Sequence, residues 1–148
     1  MTFDQILTAS LNATLIIHDQ VFAIGGIEKI KLASGEHITW MWSSEDGWFI
    51  VDSEGDELLM FHPVEQEVEM DEEGYAMYCG NSYEEEYEDK GSVLETEGNT
   101  DQEEGDSFEI KQFETDRGEI LRRLTWVGYG EERWFIGKML EEIDVRVD

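Results

Sequence analysis

The sequence predicts an all-β, mostly antiparallel protein built as two related barrel- or sandwich-like halves behind a short N-terminal helix. Three observations carry that expectation. Apolar runs of four or five residues recur at roughly 8–12-residue spacing with turn-forming clusters between them, the mark of sandwiches and barrels. Helical periodicity is confined to the first turns of the chain, before Asn12. Two distant stretches share a Gly-Glu, Thr-Trp, Trp-Phe-Ile order. A length of 148 residues suits one compact domain over 1–148, divisible into similar halves at 13–63 and 67–148.

Each element has a local reason. Thr2-Phe3-Asp4-Gln5 fits a capping box with Thr2 as N-cap, and Ile6, Leu7 and Leu11 give that helix an apolar stripe ending near Asn12. Thr14 to Ile17 and Val21 to Ile24 read as strands around the polar turn His18-Asp19-Gln20. Gly25-Gly26 bends the chain, and Glu28, Ile30 and Leu32 then share one face against Lys29 and Lys31. After the Ser34-Gly35 turn, Ile38, Trp40 and Trp42 share a face. A turn over Ser43 to Gly47 leads to Trp48-Phe49-Ile50-Val51, and Leu58 to Phe61 precedes Pro63. Past Pro63 the apolar density falls. Tyr75 to Tyr78 is a short strand, Tyr83 and Tyr87 sit among glutamates, and 97–106 reads as an acidic mobile loop. Phe108 to Ile110, Ile120 to Val127 and Arg133 to Ile136 restore order, while Gly137 to Val147 fits a strand or a closing helix equally.

The internal correspondence is specific enough to set a register. Gly35-Glu36 precedes Thr39-Trp40, and Trp48-Phe49-Ile50 begins eight residues after Trp40. Gly118-Glu119 precedes Thr125-Trp126, and Trp134-Phe135-Ile136 begins eight residues after Trp126. Hairpins turning near Ser44 and Gly130 would set Trp40 against Trp48 and Trp126 against Trp134, pairs worth about 0.5–1 kcal/mol beyond burial. Core packing of two similar halves is the favoured use of these four tryptophans; an aromatic pocket for a small ligand is the alternative.

Charge narrows the partners. The chain carries 37 acidic and 10 basic residues, a formal net charge of −27. Between Glu65 and Glu109 stand 18 acids and a single base, Lys90. Such a surface repels nucleic-acid phosphates and anionic membrane lipids, which are held through Lys and Arg. It either serves solubility, attracts cations, with weak nonspecific divalent binding among the options, or draws a basic protein. Glu84, Glu85, Glu86 and Glu88 are the candidate partner-binding residues.

Catalytic and cofactor motifs do not emerge. The chain has no phosphate-binding Gly-rich loop ending in Gly-Lys-Ser/Thr and no Gly-x-Ser-x-Gly elbow. Gly128-Tyr129-Gly130 reads as a hairpin turn. His18, His37 and His62 match no zinc spacing. Asp52 to Glu57 and Asn99 to Glu104 alternate oxygens but lack the glycine position of a calcium loop. Cys79, the only cysteine, is expected as a buried small hydrophobe in a reducing cytoplasm. The start of the chain lacks the pattern of a signal peptide, and no apolar run reaches 18 residues.

The order Ala13 to Ile17, Val21 to Gly25, Trp40 and Trp42, Gly47 to Val51 and Leu58 to Phe61 resembles the first half of a bacterial family, domain of unknown function 4178. Tyr75 to Tyr83, Gly105-Asp106, Phe113, Gly118, Trp126, Trp134 and Ile136-Gly137 are similar to its second half. A glutamate usual beside the later tryptophan is replaced here by Thr125. The resemblance implies no established activity and, since relatives tend to be encoded near membrane-stress proteins, a soluble accessory role in envelope maintenance. Together these readings predict a noncatalytic cytoplasmic interaction protein without cofactor or metal. The alternatives are an acidic inhibitor or immunity-type protein covering a basic partner, and a small-ligand-binding β-barrel.

Overall fold

In the computed structural model, which describes residues 1–148, a helix α1 (Phe3–Leu7) precedes twelve strands. They are β1 (Thr14–Ile17), β2 (Gln20–Leu32), β3 (His37–Ser43), β4 (Trp48–Asp52), β5 (Glu57–Pro63) and β6 (Glu69–Met70). The remainder are β7 (Ala76–Tyr78), β8 (Asn81–Gly98), β9 (Ser107–Glu114), β10 (Ile120–Trp126), β11 (Glu131–Leu140) and β12 (Val145–Val147). No helix is long and apolar enough to cross a membrane.

Eight strands, in the order β2-β3-β4-β5-β11-β10-β9-β8, close into one antiparallel barrel because the end of β8 pairs back onto β2. The expectation of two barrel-like halves is therefore corrected. The segments 13–63 and 67–148 each supply a four-strand meander, and the seams β5–β11 and β2–β8 join them into a single barrel. Without the other meander, each would leave two unpaired edges. The sequence correspondence does not map onto this arrangement either: it aligns β3 and β4 with β10 and β11, whereas position within the meanders would align them with β9 and β10.

Loop length explains why the tryptophan pairs differ from the expected register. In the β3–β4 hairpin Trp42 pairs with Trp48 and Trp40 with Ile50, around a loop over 43–47. In the β10–β11 hairpin Trp126 pairs with Glu131 and Trp134 with Arg123, around a loop over 127–130. One residue fewer in the second loop flips every side chain of the returning strand to the other face. Trp134 thus leaves the barrel interior and packs, half-buried, on its outside against Phe113 at 5.5 Å. Trp40 still meets Trp48 edge-on at 4.8 Å, as a diagonal neighbour.

Three apolar clusters hold the fold. Inside the barrel, Trp40, Trp48, Phe61, Phe108, Trp126 and Phe135 interlock with aliphatic side chains such as Ile30 and Leu124. Outside, Phe22, Ile24, Met41, Phe49, Val51 and Leu58 pack beneath α1 and the flap made by β12, β1 and the start of β2. The continuous run Trp48-Phe49-Ile50-Val51 reflects this: β4 is buried on both faces. A third cluster, Ala76, Tyr78, Tyr83, Phe113 and Leu121, lies under the β6–β7 hairpin.

Backbone detail follows the residue types. The capping box of Thr2 and Gln5 forms as expected. The helix nevertheless stops at Leu7 with Thr8 as its C-cap, and Asn12, at a left-handed φ of 67°, donates its N–H to the Ile24 carbonyl where the chain enters the flap. His18 and Asp19, both at positive φ, make the two-residue turn between β1 and β2. The Gly25-Gly26 bend is a register irregularity within one continuous strand, where β2 passes from the flap into the barrel wall. Gly137 lets β11 approach β5 closely: a Cβ there would collide with the Met60 carbonyl oxygen. The closing segment holds both expected forms, a 3-10 turn over Glu142–Asp144 and then β12. Cys79 is corrected to an exposed position: it sits with Gly80 in the tight β7–β8 turn, at a φ of 49°.

Candidate functional site

The barrel interior holds a buried charge towards each end, and in both cases strand alternation puts it there. Glu28 lies on the inward face of β2 with Ile30 and Leu32; Arg122 lies on the inward face of β10 with Leu124 and Trp126. Neither takes part in a salt bridge within 4.0 Å.

At one end Glu28 is fully buried, accepting a short hydrogen bond from Trp42 Nε1 through Oε1, while Oε2 has no partner. Burial pushes its carboxyl up to about 7, Asp101 and Asp106 add to the rise, and the Trp42 bond opposes it. The segment expected as a mobile loop lies over this end. Asn99 N–H bonds the Gly25 carbonyl, Gly105 N–H bonds the Val93 carbonyl, and the Asn99 carbonyl packs so closely on Gly26 that a Cβ there would lie 2.5 Å from its oxygen.

The other end is open. A cavity of about 270 Å³ has aliphatic walls that include Ile38, Ile50, Leu59 and Ile110, with Arg122 among its lining residues. Arg122 is 2% exposed. Its guanidinium lies against the aromatic core, 4.9 Å from the Phe61 ring and 5.5 Å from that of Trp48. Nε (3.1 Å) and Nη2 donate to Gln112 Oε1, and Nη2 also donates to the Tyr87 hydroxyl at 2.8 Å. Nη1 makes no hydrogen bond. Burial lowers the guanidinium pKa, against the pull of Tyr87, Glu57 and Asp89.

Acids ring this mouth. Glu36, Asp52, Glu57 and Asp89 line the cavity with Arg122. The Glu57 carboxyl is held above its ordinary value by burial, partly offset by Arg122, with Asp52 and Glu36 adding to the rise. β8 extends the acidic ring along the wall. Glu84 pairs across from Glu114, and burial together with neighbouring Glu86 raises the Glu114 carboxyl. Glu85 and Glu88 stand on the outer face, bridged by Lys111 Nζ at 2.9 and 3.6 Å. The four glutamates singled out in the sequence are thus all exposed but divide between the mouth and the outer wall.

The tryptophans are placed differently from one another. Trp40 and Trp48 are fully buried, Trp126 is 3% exposed, and their rings fill the barrel centre beside Phe108 and Phe135. Trp126 and the neighbouring Trp42 line only a small, mostly polar cleft of about 90 Å³ under Asn99 to Gln102, and Trp134 lies on the outside of the barrel wall. No group of three or more His, Cys, Asp or Glu side chains is arranged to hold a metal ion. His18 and His62 flank a separate external groove with Val21 and Met60, and His37 begins β3.

Arg122 and Glu28 were missed as site residues, although the signal was present. Glu28 already alternated with Ile30 and Leu32, and Arg122 shares its parity with Ile120, Leu124 and Trp126. A charge on an apolar face is the informative exception. In comparisons with known proteins, no family model, no curated protein and no solved structure matches the chain.

Proposed function

We propose that this protein is a noncatalytic binding module that holds a basic protein partner against the acidic mouth of its barrel. One observation carries the reading: the exposed glutamates of β8 run into the acids around the cavity, Glu36, Asp52, Glu57 and Asp89, so the negative charge forms a rim around a concave feature. A partner rich in Lys and Arg is steered to such a rim, and its association slows as salt screens the field. The aromatic interior is filled, which favours contact at the rim over a ligand held among the tryptophans. The rim favours the inhibitor-type form of an interaction protein, covering a basic cleft. An accessory role in membrane stress rests on the family resemblance alone.

The test is affinity capture from native lysate with the full-length chain. The expected result is a basic protein recovered near one-to-one at low salt and released by about 0.5 M salt, where the screening length falls to a few ångströms. Recovery of no stoichiometric protein at low or moderate salt overturns the proposal.

A further inference from the structure

The charges at the mouth do not match a purely cationic ligand. Arg122 lies deep in the cavity, inside a rim of acids, with the two N–H groups of Nη1 unclaimed by any acceptor. A guanidinium buried this far is normally met by an anion in direct contact, because its hydration has been removed. Here the contacts within hydrogen-bond reach are neutral, Gln112 and Tyr87, and every carboxylate stands beyond 4.0 Å. The missing partner is an oxyanion small enough for about 270 Å³. Planar guanidinium and carboxylate are well matched for such contact.

Resting on the proposal of a basic partner, we infer that the cavity takes the partner's C-terminal residue, with its carboxylate on Arg122 Nη1. The rim then meets the residues before it. Ile38, Ile50, Leu59 and Ile110 offer an apolar wall to the last side chain, so that residue is aliphatic. Glu57 and Asp89 sit beside the entrance, and Glu84 and Glu86 continue along β8, where an extended chain leaving the cavity presents Lys or Arg. The three groups divide recognition among them. Arg122 selects the free terminus, the acids select the basic stretch, and the walls select the final side chain. A free anion meets the repulsion of the rim, and a cation without a terminal carboxylate leaves Arg122 unmatched.

Synthetic peptides separate these contributions. The probes are Lys-Lys-Ser-Lys-Leu with a free C-terminal carboxylate, the same peptide amidated, and Gln-Gln-Ser-Gln-Leu as the free acid, each titrated into the full-length protein. Binding is read from methyl signals of Ile38, Ile50, Leu59 and Ile110. The expected result is that the basic free acid binds at least tenfold more tightly than either of the others and moves all four residues. Arg122→Met removes the preference for the free acid over the amide. Glu57→Gln with Asp89→Asn, which removes two rim charges and keeps the Arg122 side chain and its bonds to Gln112 and Tyr87, weakens both basic peptides and keeps that preference. Equal binding of acid and amide to the wild type overturns carboxylate capture while leaving a basic partner in place. Binding by none of the peptides also overturns it, and the basic-partner reading then stands or falls on the lysate capture alone.

Discussion

Replacing Glu28 by Gln should change how stability depends on pH, and the size of the change follows from its burial. The variant keeps the side-chain shape and an oxygen to accept from Trp42 Nε1, but removes a proton equilibrium. The Glu28 carboxyl, ordinarily near 4.5, sits at about 7 in the folded chain. Between those values the folded state binds a proton that the unfolded state has released. Its contribution is therefore fully present below about pH 4.5 and is lost as pH rises through 7. At about 1.4 kcal/mol per unit, the gap corresponds to roughly 3 kcal/mol by pH 8 and to about 1 kcal/mol at pH 5. The Gln side chain leaves its amide unpaired where Oε2 was unpaired before, a cost that does not vary with pH. Melting temperatures of the two proteins should thus diverge in the variant's favour by about 5–10 °C between pH 5 and pH 8, taking roughly 2–4 °C per kcal/mol. Thermal melts monitored by circular dichroism across that range decide it. A difference that stays constant with pH would refute the placement of an ionisable group in the sealed end of the barrel.

Other perturbations probe neighbouring parts of the same account. Asp101→Asn removes a negative charge that raises the Glu28 carboxyl, so the pH at which stability falls should move downward, visible in the same melts. Trp48→Ala, in the filled centre, should cost about 3–5 kcal/mol in urea unfolding. Trp134→Ala should cost clearly less, since its indole is half-buried outside the barrel; equal losses would place the two indoles in equivalent surroundings. Gly137→Ala should destabilise by about 1–3 kcal/mol or more, because the added methyl meets the Met60 carbonyl across the seam that joins the two meanders. Unchanged stability there would mean that β11 does not approach β5 closely at Gly137.

The legible part of the fold was the part with strong alternation. β3, β4, β5, β10 and the start of β11 carry apolar residues dense enough to announce themselves, and the capping box of Thr2 and Gln5 needs only local contacts. β8, the longest strand, was not recognised as one. Its outer face is acidic, and its inner face, Tyr87, Asp89 and Gly91, lines the polar end of the barrel, so alternation in hydrophobicity disappears where both faces are polar. Closure of a single barrel was also hidden. It depends on β8 crossing to β2 and β11 to β5, pairings between distant segments that local periodicity does not encode. The misplacement of Trp134 came from a single residue of loop length, which shifts the face of an entire strand. Of the candidate site, the acidic β8 segment was visible from composition, whereas the open mouth and its buried Arg122 emerge only when inward-facing positions of several strands converge.

Charge reversal along β8 tests the central claim most directly. Glu84, Glu85, Glu86 and Glu88 are all exposed, so changing each to Lys replaces the acidic approach to the mouth by a basic one without touching the core; the lost Lys111 bridges to Glu85 and Glu88 should lower the melting temperature only modestly. The measurement is the association rate of the captured basic partner with wild-type and reversed protein over a series of salt concentrations. The expected result is a fast wild-type rate that falls steeply with salt and a reversed protein slowed at least tenfold at low salt, the two converging as salt rises. A reversed protein that associates as fast as the wild type at low salt, with the same salt dependence, would contradict it.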